Sequence, residues 1–100
     1  MRTVMVRYMV KPDRAAENEQ LVRAVYEELH RTKPDGLHYA TFQLGDGVSF
    51  LHLAAMEEGE NPLARVEAFA RFQEDIAGRC DETPVVTELR EIGAFGVFAP

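Results

Sequence analysis

The amino-acid sequence predicts one α+β domain in which two helices cover one face of a four-stranded antiparallel sheet. The first observation is a β-hairpin over residues 37–56, where two alternating runs flank Asp46 and Gly47. The second is a helical spacing of apolar residues both before and after this hairpin. The third is a strand pattern near each end of the chain, which gives the order βαββαβ. A length of 100 residues fits a single domain, 1–100.

The first third of the chain is predicted to form a strand and a helix. In residues 2–10, apolar side chains at every second position indicate a strand with one apolar face. Asp13 is expected to cap the following helix, over residues 14–33. The apolar stripe of this helix consists of Leu21, Val22, Val25 and Leu29, extended by Asn18 and Thr32. The residues from Pro34 to Gly36 are expected to end it.

The hairpin determines which side chains share a face of the sheet. A two-residue turn with positive φ at Asp46 and Gly47 places Thr41 opposite His52, and Tyr39 opposite Ala54. Side chains alternate along a strand, so two faces follow. One is predicted to carry His38, Ala40, Phe42, Leu51, Leu53 and Ala55. The other is predicted to carry Tyr39, Thr41, Gln43, Phe50, His52, Ala54 and Met56.

The second half of the chain is predicted to form a bent helix and a last strand. Residues 57–60 form an acidic loop, and Asn61 and Pro62 are expected to start the helix as cap and first residue. The apolar residues of this helix do not fit one stripe, which predicts a bend within residues 66–68. Pro84 is expected to open the last strand, which runs over residues 85–95.

Composition excludes several classes of function. Hydrophobic residues make up 46% and charged residues 28%, a balance typical of a globular protein. The net charge of −6 argues against nucleic acid and anionic membrane surfaces as partners. No apolar run approaches the ~20 residues of a membrane span, and the N-terminus does not resemble a signal peptide. Cys80 is the single cysteine and forms no intrachain disulfide, so we expect a cytoplasmic protein.

The element order is that of ferredoxin-like domains, which leave one face of the sheet uncovered. The predicted helix-facing set is Val4, Val6, Tyr8, Ala40, Phe42, Leu51 and Leu53. The uncovered face would then carry Met5, Met9, Tyr39, Phe50, Ala54 and Met56, an apolar patch that is unusual for a monomer. We therefore expect a two-fold homodimer in which two such faces meet. An apolar tail, with Phe95, Val97 and Phe98, is expected to reach over the partner.

Three runs of the sequence resemble a known superfamily. GVSFLHLAAMEEGENPL, AFARFQEDIAGRCDETP and ELREIGAF, together with the element order, resemble the dimeric α/β barrel superfamily, in its antibiotic-biosynthesis-monooxygenase-like branch of small bacterial proteins. The resemblance implies cofactor-independent oxygenation of aromatic molecules by a homodimer. The tryptophan that such enzymes use is absent here, and the only asparagines are Asn18 and Asn61. The predicted second helix lacks the histidine of the related haem-degrading enzymes, so no cofactor is expected.

His52 is the candidate catalytic residue that the sequence favours. For an enzyme we predict cofactor-independent oxygenation or a proton-transfer reaction. His52 would act as the general base, Arg7 would hold an anionic or enolate oxygen, and Tyr39 would orient the substrate. The predicted ligand-binding residues on the same open face are Thr41, Gln43, Phe50, Met5 and Met9. The ligand would be a small apolar or aromatic molecule in the interior of the barrel.

A structural role for His52 is the other interpretation, and the sequence favours it over catalysis because buried polar groups usually have a structural partner. The histidine would then be half-buried at the dimer interface and satisfied by Thr41 or Tyr39. A cavity filled by Phe50, Met5 and Met9 would favour a non-catalytic ligand-binding or oligomerisation module. No metal site is expected, because His38 and His52 are predicted on opposite faces. Cys80 is expected to be inert, since neighbouring acidic side chains oppose thiolate formation.

Overall fold

The four strands form one antiparallel sheet in the order β2-β3-β1-β4. A computed structural model describes residues 1–96 of the chain. The strands are β1 (Arg2–Val10), β2 (Leu37–Gln43), β3 (Ser49–Met56) and β4 (Cys80–Leu89). The helices are α1 (Ala15–Thr32), α2 (Glu67–Gln73) and α3 (Ile76–Arg79), with single 3₁₀ turns at Pro12–Arg14 and Pro62–Arg65. The predicted order βαββαβ is confirmed, with the second helical region divided into short pieces.

The predicted register of the hairpin is correct, but the predicted turn is not. Thr41 pairs with His52 and Tyr39 pairs with Ala54, as expected. Gly47 has a φ of 78°, whereas Asp46 has no positive φ, and the Gly47 N–H donates to the Leu44 carbonyl at 3.0 Å. The Asp46 carboxylate instead accepts from the backbone N–H groups of Val48 and Ser49 at 2.9 and 2.8 Å. This side-chain cap holds the loop without a left-handed aspartate.

The helices cover the opposite face of the hairpin from the one predicted. Across the β1–β3 pair, Val6 lies opposite His52 and Tyr8 lies opposite Phe50, so their side chains share a face. That face is buried beneath the helices, with Val4, Tyr8, Val10, Phe50, His52, Ala54 and Met56 all buried. The prediction of Ala40, Phe42, Leu51 and Leu53 as helix-facing is therefore wrong. Polar side chains on the covered face bond to one another, which is why they tolerate burial.

Helix α1 begins and ends with caps that differ from the predicted ones. The 3₁₀ turn at Pro12 precedes the helix, and no side chain caps it, so the prediction of Asp13 as N-cap is wrong. Proline suits this first position because its fixed φ is already helical. At the other end Lys33 is left-handed, with a φ of 47°, and its N–H donates to the Leu29 carbonyl. Asn18, Val22 and Val25 face the core from this helix.

The predicted start and bend of the second helical region are confirmed. The Asn61 side chain accepts from the Leu63 N–H at 3.2 Å, and Pro62 follows at the first position. Val66 is extended, with a φ of −93° and a ψ of 112°, and α2 begins after it. Glu28 of α1 then accepts from the N–H groups of Glu67 and Ala68 at 3.1 and 2.9 Å. A side chain of one helix thus caps the next and fixes the two relative to each other.

Strand β4 is shifted towards the N-terminus relative to the prediction. It begins at Cys80 and ends at Leu89, rather than running over residues 85–95. Cys80 pairs with Val10 and Val85 pairs with Arg7, with two register shifts between these pairs. The irregular stretch accommodates Pro84, which has no N–H to donate. Val97 and Phe98 of the predicted tail lie outside the described residues. Among the helices of residues 1–96, none is both long and apolar enough to span a membrane.

Candidate functional site

A cavity of about 240 Å³ lies between the sheet and the second helical region. All four strands contribute to its wall, together with Leu63, Phe69, Phe72 and Ile76 from the helical side. The polar residues in its lining are Arg2, Tyr8, Tyr39, His52, Asn61 and Gln73. Apolar walls with a few convergent polar groups are typical of small-molecule sites. The cavity lies within one chain, on the helix-covered face, and not on the open face where the sequence placed it.

His52 is the central polar residue of this cavity. Only 4% of its surface is exposed, and both ring nitrogens have partners. Nε2 lies 2.8 Å from the Tyr8 hydroxyl, while Nδ1 lies 2.6 Å from the Tyr39 hydroxyl and 3.1 Å from Thr41 Oγ1. Burial disfavours the charged imidazolium and lowers the pKa of His52 to about 4. The imidazole is therefore neutral at pH 7.

The hydrogen bonds of His52 continue into the core on the Tyr8 side. The Asn18 side-chain amide donates to the Tyr8 hydroxyl at 2.9 Å, and Arg79 Nε donates to Asn18 Oδ1 at 3.1 Å. Arg79 is 1% exposed, and its Nη2 also donates to the Phe72 carbonyl at 2.6 Å. The guanidinium carbon lies 5.2 Å from the centre of the Phe72 ring, a cation–π contact. The chain of bonds thus runs from a buried cation to the cavity.

Two tyrosines, Tyr8 and Tyr39, contact His52, and a third, Tyr26, stacks on Tyr39; all three are neutral at pH 7. Burial raises the pKa of Tyr8 and of Tyr39, and it raises the pKa of Tyr26 to about 12. Tyr26 stacks on Tyr39 with ring centres 5.4 Å apart, and its hydroxyl lies 2.8 Å from Thr41 Oγ1. At pH 7 the site therefore presents phenol hydroxyls and an uncharged imidazole. Such groups can orient a ligand oxygen and stabilise negative charge that develops on it.

The structure brings together only part of the predicted site. His52, Tyr39 and Thr41 are in direct contact. Phe50 is buried beside them, stacked on Tyr8 with ring centres 5.6 Å apart.

Arg7, Met5 and Met9 lie on the open face. Arg7 pairs with Leu51 and Met5 pairs with Leu53, so their side chains point away from His52. The prediction that they share a face with His52 is wrong. Gln43 is exposed at the end of the hairpin, where its amide donates to the Gly47 carbonyl at 2.9 Å. Its predicted contact with a ligand remains a prediction.

Several residues of the network were not predicted as site residues. Asn18 interrupts the apolar stripe of α1, and a polar residue at a core position is a signal that it has a buried partner. Tyr8 has the same signal within the apolar face of β1. Arg79 and Phe72 gave no local signal, because their contacts with the site join distant parts of the chain.

The other reactive side chains of the described residues do not form a second centre. Cys80 is buried, and burial raises the pKa of its thiol, which keeps it protonated. Within residues 1–96, no three His, Cys, Asp or Glu side chains converge as metal ligands would.

Solved structures share this architecture at low sequence identity. A crystal structure of an antibiotic biosynthesis monooxygenase aligns with a TM-score of 0.68 and 19% identity, covering 93% of this chain and 100% of that chain. The Pseudomonas aeruginosa protein PA3566 aligns with a TM-score of 0.71 and 19% identity, covering 92% and 94%. A Nitrosomonas europaea protein of unknown function aligns with a TM-score of 0.71 and 14% identity, covering 94% and 91%.

No protein-family model matches the chain, and no curated protein matches it. The structural alignments nevertheless span more than nine-tenths of both partners in each of these three pairs. The chain therefore has the fold of the small antibiotic-biosynthesis-monooxygenase-like proteins, and the resemblance predicted from its sequence is confirmed at the level of the fold.

Proposed function

We propose that the cavity binds a small, largely apolar or aromatic molecule and that Tyr39 and His52 handle an oxygen atom of that molecule. The observation that carries this proposal is the 2.6 Å hydrogen bond between the Tyr39 hydroxyl and His52 Nδ1 at the wall of an apolar cavity. Ring side chains such as Phe69 and Phe72 offer flat apolar surface to a planar ligand. The polar pair then fixes the orientation of the ligand within the cavity.

The reaction that this site supports best is a cofactor-independent oxygenation that begins with loss of a substrate proton. Hydroxyl and imidazole donors stabilise the negative charge that grows on the substrate oxygen. The resulting electron-rich anion reduces O₂ itself, and a CH₂ group of the substrate is converted to a carbonyl group. One oxygen atom enters the substrate, and the other leaves as water with the two hydrogens that the CH₂ group loses, so O₂ is the only oxidant required. His52 as the general base remains a prediction, and a pKa of about 4 makes it a weak base in the empty site.

A non-catalytic ligand-binding protein is the second candidate. Both nitrogens of His52 already have partners in the empty cavity. Among the described residues, every buried side-chain nitrogen and oxygen atom is hydrogen-bonded. A network in which each buried polar atom has a partner without a ligand is what a structural role for His52 requires. Turnover, and not binding, separates the two candidates.

Replacing Tyr39 with phenylalanine should weaken the binding of a hydroxylated aromatic probe. Tyr39→Phe removes one hydroxyl from the cavity wall and leaves the ring stacked on Tyr26. Loss of one hydrogen bond of about 0.5–1.5 kcal/mol corresponds to a twofold to tenfold weaker affinity. The measurement is titration of the fluorescence of 1-naphthol with wild-type and variant protein.

Tyr26→Phe is the matched control, because the Tyr26 hydroxyl bonds to Thr41 and does not line this cavity. The control should bind 1-naphthol as the wild type does. Equal affinity of the Tyr39 variant and the wild type would contradict the assigned role of the hydroxyl. Oxygen uptake with anthrone, measured on the same proteins, distinguishes an enzyme from a binding protein.

We also propose a two-fold homodimer formed through the open face of the sheet. The apolar side chains of that face are Met5, Met9, Phe42, Leu51, Leu53, Val85 and Leu89. Phe42 is 47% exposed and Val85 is 63% exposed, which is unusual for large apolar groups in one patch. Beyond β4, Phe95 is 98% exposed, consistent with a tail that reaches over a partner.

The buried Cys80 fits the predicted cytoplasmic location.

A charge placed on the open face should convert the dimer into a monomer. Phe42→Asp puts a carboxylate into the proposed interface, where it would be buried without a partner. Ala16→Asp places the same charge on the exposed surface of α1 and is the control. Native mass spectrometry should show a dimer for the wild type and the control and a monomer for Phe42→Asp. A monomeric wild type at micromolar concentration would contradict the dimer.

A further inference from the structure

Arg79 lies at the end of the hydrogen-bond chain that is farthest from the cavity, and it is the donor in its hydrogen bonds with Asn18 and Phe72. The guanidinium remains charged in proteins and has no acceptor atom. It is 1% exposed, and no carboxylate of residues 1–96 forms an ion pair with it. Its Nε reaches Asn18 Oδ1 at 3.1 Å. Because the buried guanidinium can only donate, it fixes which atom donates and which accepts in each of the hydrogen bonds that link it to His52.

Each residue in the series Asn18, Tyr8 and His52 accepts a hydrogen bond from the residue before it. Because the Asn18 carbonyl faces Arg79, its amide group faces Tyr8 and donates to the phenol oxygen at 2.9 Å. The proton of Tyr8 then has His52 Nε2, at 2.8 Å, as its acceptor. In the opposite arrangement Nε2 would donate and the buried Tyr8 proton would have no assigned acceptor among the described residues. An unsatisfied buried donor is strongly unfavourable.

The neutral imidazole of His52 consequently carries its proton on Nδ1. That N–H points at the Tyr39 oxygen at 2.6 Å, with Thr41 Oγ1 more distant at 3.1 Å. The Tyr39 oxygen is thus an acceptor from His52, and its own proton is left for another group. Thr41 Oγ1 is the neighbouring protein group that accepts this proton in the empty site. Tyr39 also lines the cavity, so an acceptor oxygen of a bound molecule can replace Thr41 as its partner.

We propose that Arg79 and Asn18 are positioning residues that make Tyr39 a hydrogen-bond donor to the cavity, and that the ligand meets it with an acceptor oxygen. The accepting atom is an oxygen lone pair, and a carbonyl or deprotonated oxygen accepts more strongly than the oxygen of a hydroxyl group. The ligand part rests on the proposed function, because it requires that the cavity binds a molecule. The direction of the chain does not depend on ligand binding.

The tautomer of His52 tests the direction in the protein without ligand. ¹⁵N NMR of histidine-labelled wild type should show a protonated Nδ1 and an unprotonated Nε2 for His52. Asn18→Asp keeps the size of the side chain but replaces the amide donor with a carboxylate that accepts from both Arg79 and Tyr8. The chain then reverses, and the proton of His52 should move to Nε2. A protonated Nε2 in the wild type would overturn the proposal, whether or not the variant folds.

Two matched probes test the ligand class. 1-Tetralone carries one carbonyl acceptor, and tetralin is the same ring system without it. Wild-type protein should bind 1-tetralone about threefold to tenfold more tightly than tetralin, and Asn18→Asp should abolish this preference. Equal affinities in the wild type would overturn the predicted acceptor while leaving the proposed binding function intact. Absence of binding by both probes would count against the proposed function. The tautomer of His52 would still test the direction of hydrogen-bond donation from Arg79 to Tyr39.

Discussion

Lowering the pH from 7 to 5 should destabilise the folded chain through His52. Its pKa is about 4 in the folded state, against an ordinary value of 6.5. Between these values the unfolded chain binds a proton that the folded chain does not, so stability falls as the pH falls. The effect is less than about 0.5 kcal/mol above pH 6.5 and amounts to about 2 kcal/mol at pH 5 and about 3 kcal/mol at pH 4. Urea denaturation at pH 7, 6 and 5 measures it.

His52→Gln is the control for this pH dependence. Glutamine is polar but does not titrate, so the variant should lose most of the slope between pH 6.5 and 5. Hydrogen bonds to Glu17, Glu28 and Asp46 lower the pKa values of these carboxyl groups. The stability that these groups contribute is lost only when they are protonated, which takes a lower pH than the protonation of an unfolded histidine. His30 and His38 are common to both proteins. The same slope in wild type and variant would show that His52 is not buried in a neutral form.

Truncating Phe72 should cause the largest loss of stability among single substitutions in the cavity wall. The ring is 5% exposed, and its centre lies 5.4 Å from that of His52 and 6.1 Å from that of Tyr8. It also lies beneath the Arg79 guanidinium. Phe72→Ala should therefore reduce the free energy of unfolding by about 3–5 kcal/mol, since it opens a void among packed rings. Urea denaturation at pH 7 gives the value.

Phe69→Ala removes the same side chain three residues earlier in α2, where it is only partly buried. We expect a smaller loss, about 1–2 kcal/mol, because the truncated site remains open to solvent. Losses of equal size for the two variants would contradict the central position assigned to Phe72. Comparison of the two variants also shows how much each of these two rings of the cavity wall contributes to the free energy of unfolding.

The register of the hairpin could be predicted because it depends on local chemistry. The alternation of side chains and the turn residues are close in sequence, and together they place Thr41 beside His52. The face that the helices cover could not be predicted in the same way. Both faces of the hairpin carry large apolar groups, so the choice depends on how β1 pairs with β3. Once Val6 pairs with His52, the polar groups lie beneath the helices.

The polar network was only partly predictable for a related reason. Contact of His52 with Tyr39 and Thr41 follows from the hairpin alone. The bonds from Arg79 to Asn18 and from Asn18 to Tyr8 join residues separated by 61 and 10 positions, and no spacing rule connects them. The start of β4 was missed because Pro84 suggested a boundary. Register shifts allow the strand to pass through that proline.

Strand β4 forms one border of the sheet, because its only partner strand within residues 1–96 is β1. Its outer backbone groups are a potential template for strand addition, which can lead to open-ended aggregates. Pro84, the register shifts, and the exposed charges of Asp81, Glu82 and Glu88 make this border a poor template. Growth of fibrils by stacking chains border to border is thereby discouraged. The dimer proposed above, with two open faces in contact, would close after two copies, so such an assembly would be finite.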